Sequence, residues 1–177
     1  MDERRDEVRL EILFRRHYRE VAAYVRRRAE PDLVEDVVAE TFLVAWRRLE
    51  DVPADARPWL LGVARRTLAT QRRSQARRSS LLARLEAASG SSERDAQPVE
   101  LGVADALRRL SDRDREAITL VAWDGLSPSE AALVVGQSPV AFRVRLHRAK
   151  RRLRRRLEAR SLSRENTFEL AGGGLKR

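Results

Sequence analysis

Cysteine is absent from the 177 residues, which excludes disulfides and thiolate metal sites. Histidine occurs only at His17 and His147, too few for a His-based zinc centre. Glycine is scarce, with 8 residues, while 36% of the chain is charged, a combination that favours helices over sheets. No apolar run approaches the ~20 residues of a membrane span. The N-terminal stretch MDERRDEVRL is charged throughout and has no apolar core, so it does not read as a signal peptide. A glycine-rich phosphate loop is also missing, since GVAR is too short to serve, and nucleotide hydrolysis is not expected. These absences predict a cytoplasmic protein that is not an enzyme and holds no cofactor or metal.

What the chain does contain is positive charge. Lys and Arg number 37 against 27 Asp and Glu, a net +10 with a pI near 11.2. Such a balance points to a polyanionic partner, nucleic acid before anionic membrane. The charge is segregated. Residues 30–55 hold eight acids and two bases, residues 57–78 hold seven arginines and no acid, and residues 143–160 hold ten bases and one acid. A uniformly solvated surface would mix the signs, so the segregation suggests different partners on different faces. The alternative is that the blocks pair with one another inside the molecule.

With 42% hydrophobic residues the chain can build a core. Leu10, Leu13, Phe14, His17, Tyr18, Val21, Tyr24 and Val25 recur at helical steps and predict a helix over residues 6–29. Pro31 fits the start of a second helix, with Val34, Val37, Val38, Thr41, Phe42, Ala45, Trp46 and Leu49 on its apolar side. The segment EDVPADARP reads as a loop, and Pro58 as the opening of a third helix, apolar at first and basic later. Three such helices share one small core. Residues 86–98 lack periodicity and read as a flexible linker. A second unit follows over 99–158, and the tail from 159 to 177 is expected to be disordered. The expected fold is therefore all-α: two small helical domains, the first over 6–85, joined by that linker.

The second unit carries three capped helix starts. Ser111 precedes Asp114 by three residues. Ser127-Pro128-Ser129-Glu130 is a capping box with proline at the first helical position. Ser138-Pro139 repeats the arrangement, and Gly136 between the last two starts suits a left-handed helix end. A short helix, a turn after glycine and a longer basic helix form a helix-turn-helix pattern. On the last helix Phe142, Leu146, Ala149, Leu153 and Leu157 make the buried stripe, so Arg143, Arg145, His147, Arg148 and Arg151 face outward or along the flanks. Such a helix fits the major groove of duplex DNA, where arginine pairs bidentately with guanine. Arginines 152 to 156 are placed for phosphates.

In this order, and across a linker, the segments DLVEDVVAETFLVAWRRL, PWLLGVARRTLATQRR and LRRLSDRDREAITLVAWDGLSPSEAALVVGQSPVAFRVRLHRAKRRL resemble those of extracytoplasmic-function (ECF) sigma factors of the sigma-70 family. The resemblance spans residues 8 to 158. It implies a transcription initiation factor that binds core RNA polymerase and directs promoter recognition and DNA melting. It implies a polymerase-docking face at Asp36, Val37, Glu40, Leu43 and Arg47, with Phe42 and Trp46 in the core. It implies contacts to the −10 element from Trp59, Arg65, Arg66, Gln71, Arg72 and Arg73, although Trp59 reads equally as a core anchor. For the −35 element it implies Ser138, Val140, Ala141, Arg143, Val144, Arg145, His147, Arg148 and Arg151. An inhibitory anti-sigma partner is common in that family. The chain departs from the family pattern at Ala39, at Arg66 and at Val140-Ala141-Phe142.

Rival readings are an ordinary helix-turn-helix regulator with an N-terminal dimerisation or sensing unit, and a nucleic-acid chaperone without sequence preference. A serine recombinase would need an N-terminal nucleophile, whereas the first serine here is Ser74.

Overall fold

The computed structural model describes the backbone of residues 3–86 and 103–172, and side chains over 4–77 and 103–158. In chain order the helices are α1 (Glu3–Arg26), α2 (Val34–Arg47), α3 (Ala56–Glu86), α4 (Val103–Arg108), α5 (Asp112–Ala122), α6 (Pro128–Val135) and α7 (Pro139–Gly172), with single 3₁₀ turns at Pro31–Leu33 and Leu49–Asp51. No strand occurs among the described residues. The chain divides into two compact units: one is built on α1, α2 and α3, with Ser129–Ser138 grouped with it, and the other on α4, α5 and α7. The expected linker falls almost wholly outside the described residues.

In the first unit each helix packs against the other two. The apolar steps of α1 are buried only towards its C-terminal end, at Val21, Tyr24 and Val25, with His17 beside Glu20 at 3.0 Å. Phe14 and Tyr18 stay at the rim, where the ring of Phe14 meets Tyr18 at 5.0 Å and the edge of Phe42 at 4.8 Å. On α2 the buried positions Val34, Val37, Val38, Thr41, Phe42 and Ala45 recur at three- and four-residue steps. The Thr41 hydroxyl donates to the Val37 carbonyl at 2.7 Å, which lets a polar side chain lie in this core. Phe42 is in the core as expected, but Trp46 is 38% exposed. Ala45 and Leu49 on either side of it are buried, so Trp46 lies at the flank of the packed face of α2 and not at its centre.

Helix α3 begins two residues before Pro58 and keeps that proline in its first turn. A proline is tolerated there because the first four backbone N–H groups have no intrahelical acceptor. Leu60, Leu61, Ala64 and Leu68 bury the apolar half of α3. Burying each such leucine stabilises the unit by roughly 1.5–3 kcal/mol. The end of α1 is held by cations: Arg28 donates to the Tyr24 carbonyl at 3.1 Å and stacks on its ring, and Arg72 of α3 donates to the Arg28 carbonyl. Carbonyls at a helix C-terminus lack intrahelical donors and carry partial negative charge, so guanidinium groups satisfy both needs.

In the second unit α7 packs on α5 and α4. Phe142, Leu146 and Ala149 of α7 are buried, as are Leu107, Leu110, Ile118 and Leu120 of the elements before it in this unit. Ser111 caps α5, its hydroxyl accepting from the Asp114 backbone N–H at 3.3 Å. Helix α7 continues to Gly172, so the first part of the expected disordered tail is helical. From Val140 to Ala171 the sequence holds no glycine or proline, and nothing interrupts the backbone ladder before the glycine triplet.

Candidate polymerase and promoter surfaces

The acidic face lies on α2. Asp36, Glu40, Leu43 and Arg47 recur at steps of four, three and four and share one exposed or half-exposed side. Asp36 has no cationic partner among the described residues, and Glu40 meets Arg47 only at 3.6 Å across solvent. Val37 is placed differently from the sequence expectation. It is fully buried, so it supports this face from beneath and has no surface to offer a partner.

Across α2 runs a groove of about 610 Å³. One wall is Asp36, Ala39, Glu40 and Leu43, and the opposite wall is Arg66, Thr67, Thr70 and Gln71 of α3. The acid-bearing helix and the arginine-bearing helix therefore share a cleft. Segregation along the sequence had suggested separate faces.

Of the arginines on α3, Arg66 and Arg73 are exposed and Arg65 is half-buried. Arg73 reaches the Thr70 hydroxyl at 3.1 Å. Arg72 is exposed but holds the end of α1 through the Arg28 carbonyl, and so has a structural partner already. Trp59 is half-buried in the first turn of α3, about two turns of helix before Arg66 and about three before Gln71.

The third surface is the start of α7. Gly136 has φ +69°, and its N–H reaches the Leu133 carbonyl at 3.2 Å while the Gln137 N–H reaches the Ala132 carbonyl at 2.9 Å. This is the left-handed cap expected from the sequence, and it frees Ser138-Pro139 to begin a new helix. Val140, Ala141, Arg143, Val144, His147, Arg148 and Arg151 are exposed, and Arg145 is half-buried. Arg143, Arg148 and Arg151 meet no carboxylate among the described residues. Arg152 does. It donates to Asp114 of α5, whose side chain is buried, and this removes it from the set of cations placed for phosphate. A second left-handed residue, Gly125 with φ +65°, ends the α5 turn. Sequence reasoning had passed over it, although the Asp124-Gly125 pair is itself a turn signal.

Residues 13–78 match the sigma-70 region 2 family model, and residues 101–153 match the sigma-70 region 4 model. The RNA polymerase sigma factor NccH of Alcaligenes xylosoxydans xylosoxydans is 33% identical over 153 residues, covering 80% of this chain and 82% of that protein. The ECF RNA polymerase sigma factor SigL of Mycobacterium tuberculosis is 34% identical over 139 residues, covering 70% of this chain and 74% of its own. Among solved structures, CnrH in complex with the cytosolic domain of CnrY superposes with a TM-score of 0.57 at 29% identity, over 85% of this chain and 88% of CnrH. A three-helix unit of which residues 13–78 match region 2, followed by a capped basic helix whose start lies in the region 4 match, and relatives one-third identical over most of the chain, place this chain in the sigma-70 family of RNA polymerase sigma factors, in its ECF group.

Proposed function

We propose that the chain docks on core RNA polymerase through the exposed acids of α2, sets the arginine-bearing wall of α3 against the melted −10 element, and lays the start of α7 in the major groove of the −35 element. The observation that carries this reading is the pairing state of the charges. Asp36 on one side, and Arg143, Arg148 and Arg151 on the other, find no opposite charge among the described residues. Part of the segregated charge is thus not consumed by ion pairs among the described residues, and these four groups are the ones offered to partners. Cations facing DNA supply affinity through counterion release, while an unpaired strand on the α3 wall offsets the few kcal/mol of unstacking. Polymerisation belongs to the polymerase, and the site of action is wherever that enzyme works, in the cytoplasm.

The test is co-purification with core polymerase, followed by promoter-dependent transcription. Asp36→Arg combined with Glu40→Arg reverses two charges on an exposed or half-exposed face. It is expected to abolish co-purification while leaving the helical circular dichroism and thermal melt unchanged. Unaltered co-purification of a folded double variant would refute this docking face. An ordinary helix-turn-helix regulator would bind a closed duplex without polymerase and start no transcripts in the assay. CnrH has been solved with the cytosolic domain of CnrY, which supports a bound protein partner for this chain as well.

A further inference from the structure

The centre of the outward side of α7 is not arginine. Phe142, Leu146 and Ala149 define the buried line of that helix. At 3.6 residues per turn, the opposite line runs through Val140, Val144, His147 and Arg151, at steps of four, three and four. Arg143 and Arg148 fall to either side of it. The two residues on the first turns of that line are Val140, 68% exposed, and Val144, 45% exposed. Exposed branched aliphatics at the middle of a cationic surface have no folding role here, because neither is covered by the unit's own core. Cations flank them on both sides, so the surface that fits is a polyanion whose innermost groups are apolar.

Duplex DNA offers one such group in the major groove, the C5-methyl of thymine. From this placement we infer that Val140 and Val144 are specificity-determining residues of the −35 contact and read thymine methyls, while Arg143 and Arg148 grip the phosphates or guanine edges on either side. The inference rests on the proposed seating of α7 in the upstream element. It goes beyond that reading by naming the chemical group read and the side chains that read it. It also reassigns the discrimination between bases, in part, from the arginines to the valines.

Holoenzyme assembled from the full chain and core polymerase provides the test. Promoters are first identified by mapping transcript starts after overexpression. Thymines of the upstream element, on either strand, are then replaced one at a time by deoxyuridine, which pairs identically and lacks only the methyl. At one or two positions binding is expected to weaken about fourfold, the equivalent of roughly 0.8 kcal/mol for one buried methyl or methylene. In Val144→Ala or Val140→Ala holoenzyme the same replacement is expected to change nothing. In Arg143→Ala holoenzyme the deoxyuridine effect should persist on top of a uniformly weaker complex. Mapped promoters that are recognised equally with every thymine replaced would overturn this inference and leave the proposed function standing. A chain that forms no holoenzyme and starts no transcripts would overturn the proposed function, and this inference with it.

Discussion

Asp114 sits in the first turn of α5, where backbone N–H groups and the Ser111 cap already favour negative charge. Its carboxylate binds Arg152 of α7, so one side chain serves both the start of α5 and the docking of α7. Ser111→Ala is expected to destabilise the second unit by about 1 kcal/mol in a denaturant titration, the ordinary value of a lost N-cap. Asp114→Asn should lower stability by a similar amount, about 1 kcal/mol, because the partner Arg152 is more than half exposed and water screens the pair. The same variant should bind non-specific duplex more tightly at low salt, since it returns a cation to the DNA side. Unchanged duplex affinity would show that Arg152 points elsewhere even when released. At this scale sequence reasoning was partial. Periodicity identified the buried side of α2 and of the start of α7, including Val37, Phe42 and the Phe142 line, but Phe14 and Tyr18 of the expected α1 face are exposed and Leu153 and Leu157 of the expected α7 stripe are only half-buried. It also set Trp46 in the core, where the structure leaves it exposed, while the resemblance alone set the buried Val37 on the docking face. Neither could find a partner for Arg152 thirty-eight residues away.

Elements were more legible than single side chains. The caps and proline positions located the starts of α5, α6 and α7 to the residue, because capping is decided by local backbone chemistry. Helix α3 was misjudged by two residues because Pro58 fits any position in a first turn, not only the first. The extent of α7 was misjudged because low apolar content was given more weight than the missing helix breakers. Gly136 is the joint on which the α6–α7 connection depends. Its φ of +69° lies where a Cβ atom is crowded by the following carbonyl, though the space around it is open. Gly136→Ala is therefore expected to cost about 1–2 kcal/mol through backbone strain alone. Gly136→Asn should cost less, since asparagine tolerates that region. Equal losses for the two variants, measured by thermal denaturation, would mean that something other than the left-handed backbone is at stake.

For the whole molecule, the number that matters is not the formal +10 but the cations left without internal partners. Arg72 and Arg152 are engaged within the fold, whereas Arg143, Arg148 and Arg151 meet no carboxylate among the described residues. Each phosphate neutralised contributes about 0.9 to the slope of log affinity against log salt. Arg148→Ala should lower that slope by roughly one phosphate's worth if the side chain grips the backbone, as its flanking position indicates. An unchanged slope together with relaxed base preference would move Arg148 from the backbone to a base edge. Of the candidate surfaces, the charges were visible in the sequence and the apolar centre of α7 was equally present in its four-three-four steps. The resemblance placed Val140 and Val144 among the −35 contacts, but the sequence reading gave base discrimination to the arginines and no chemistry to these valines.

That pair of outward valines has a bearing on the product as well as the template. A transcript copied from the same DNA carries uracil, without the methyl, and any duplex it forms adopts a deep, narrow major groove that side chains cannot enter. Newly made RNA therefore offers the two valines no methyl to read, and only its phosphates, shared by every nucleic acid, are left to the flanking arginines.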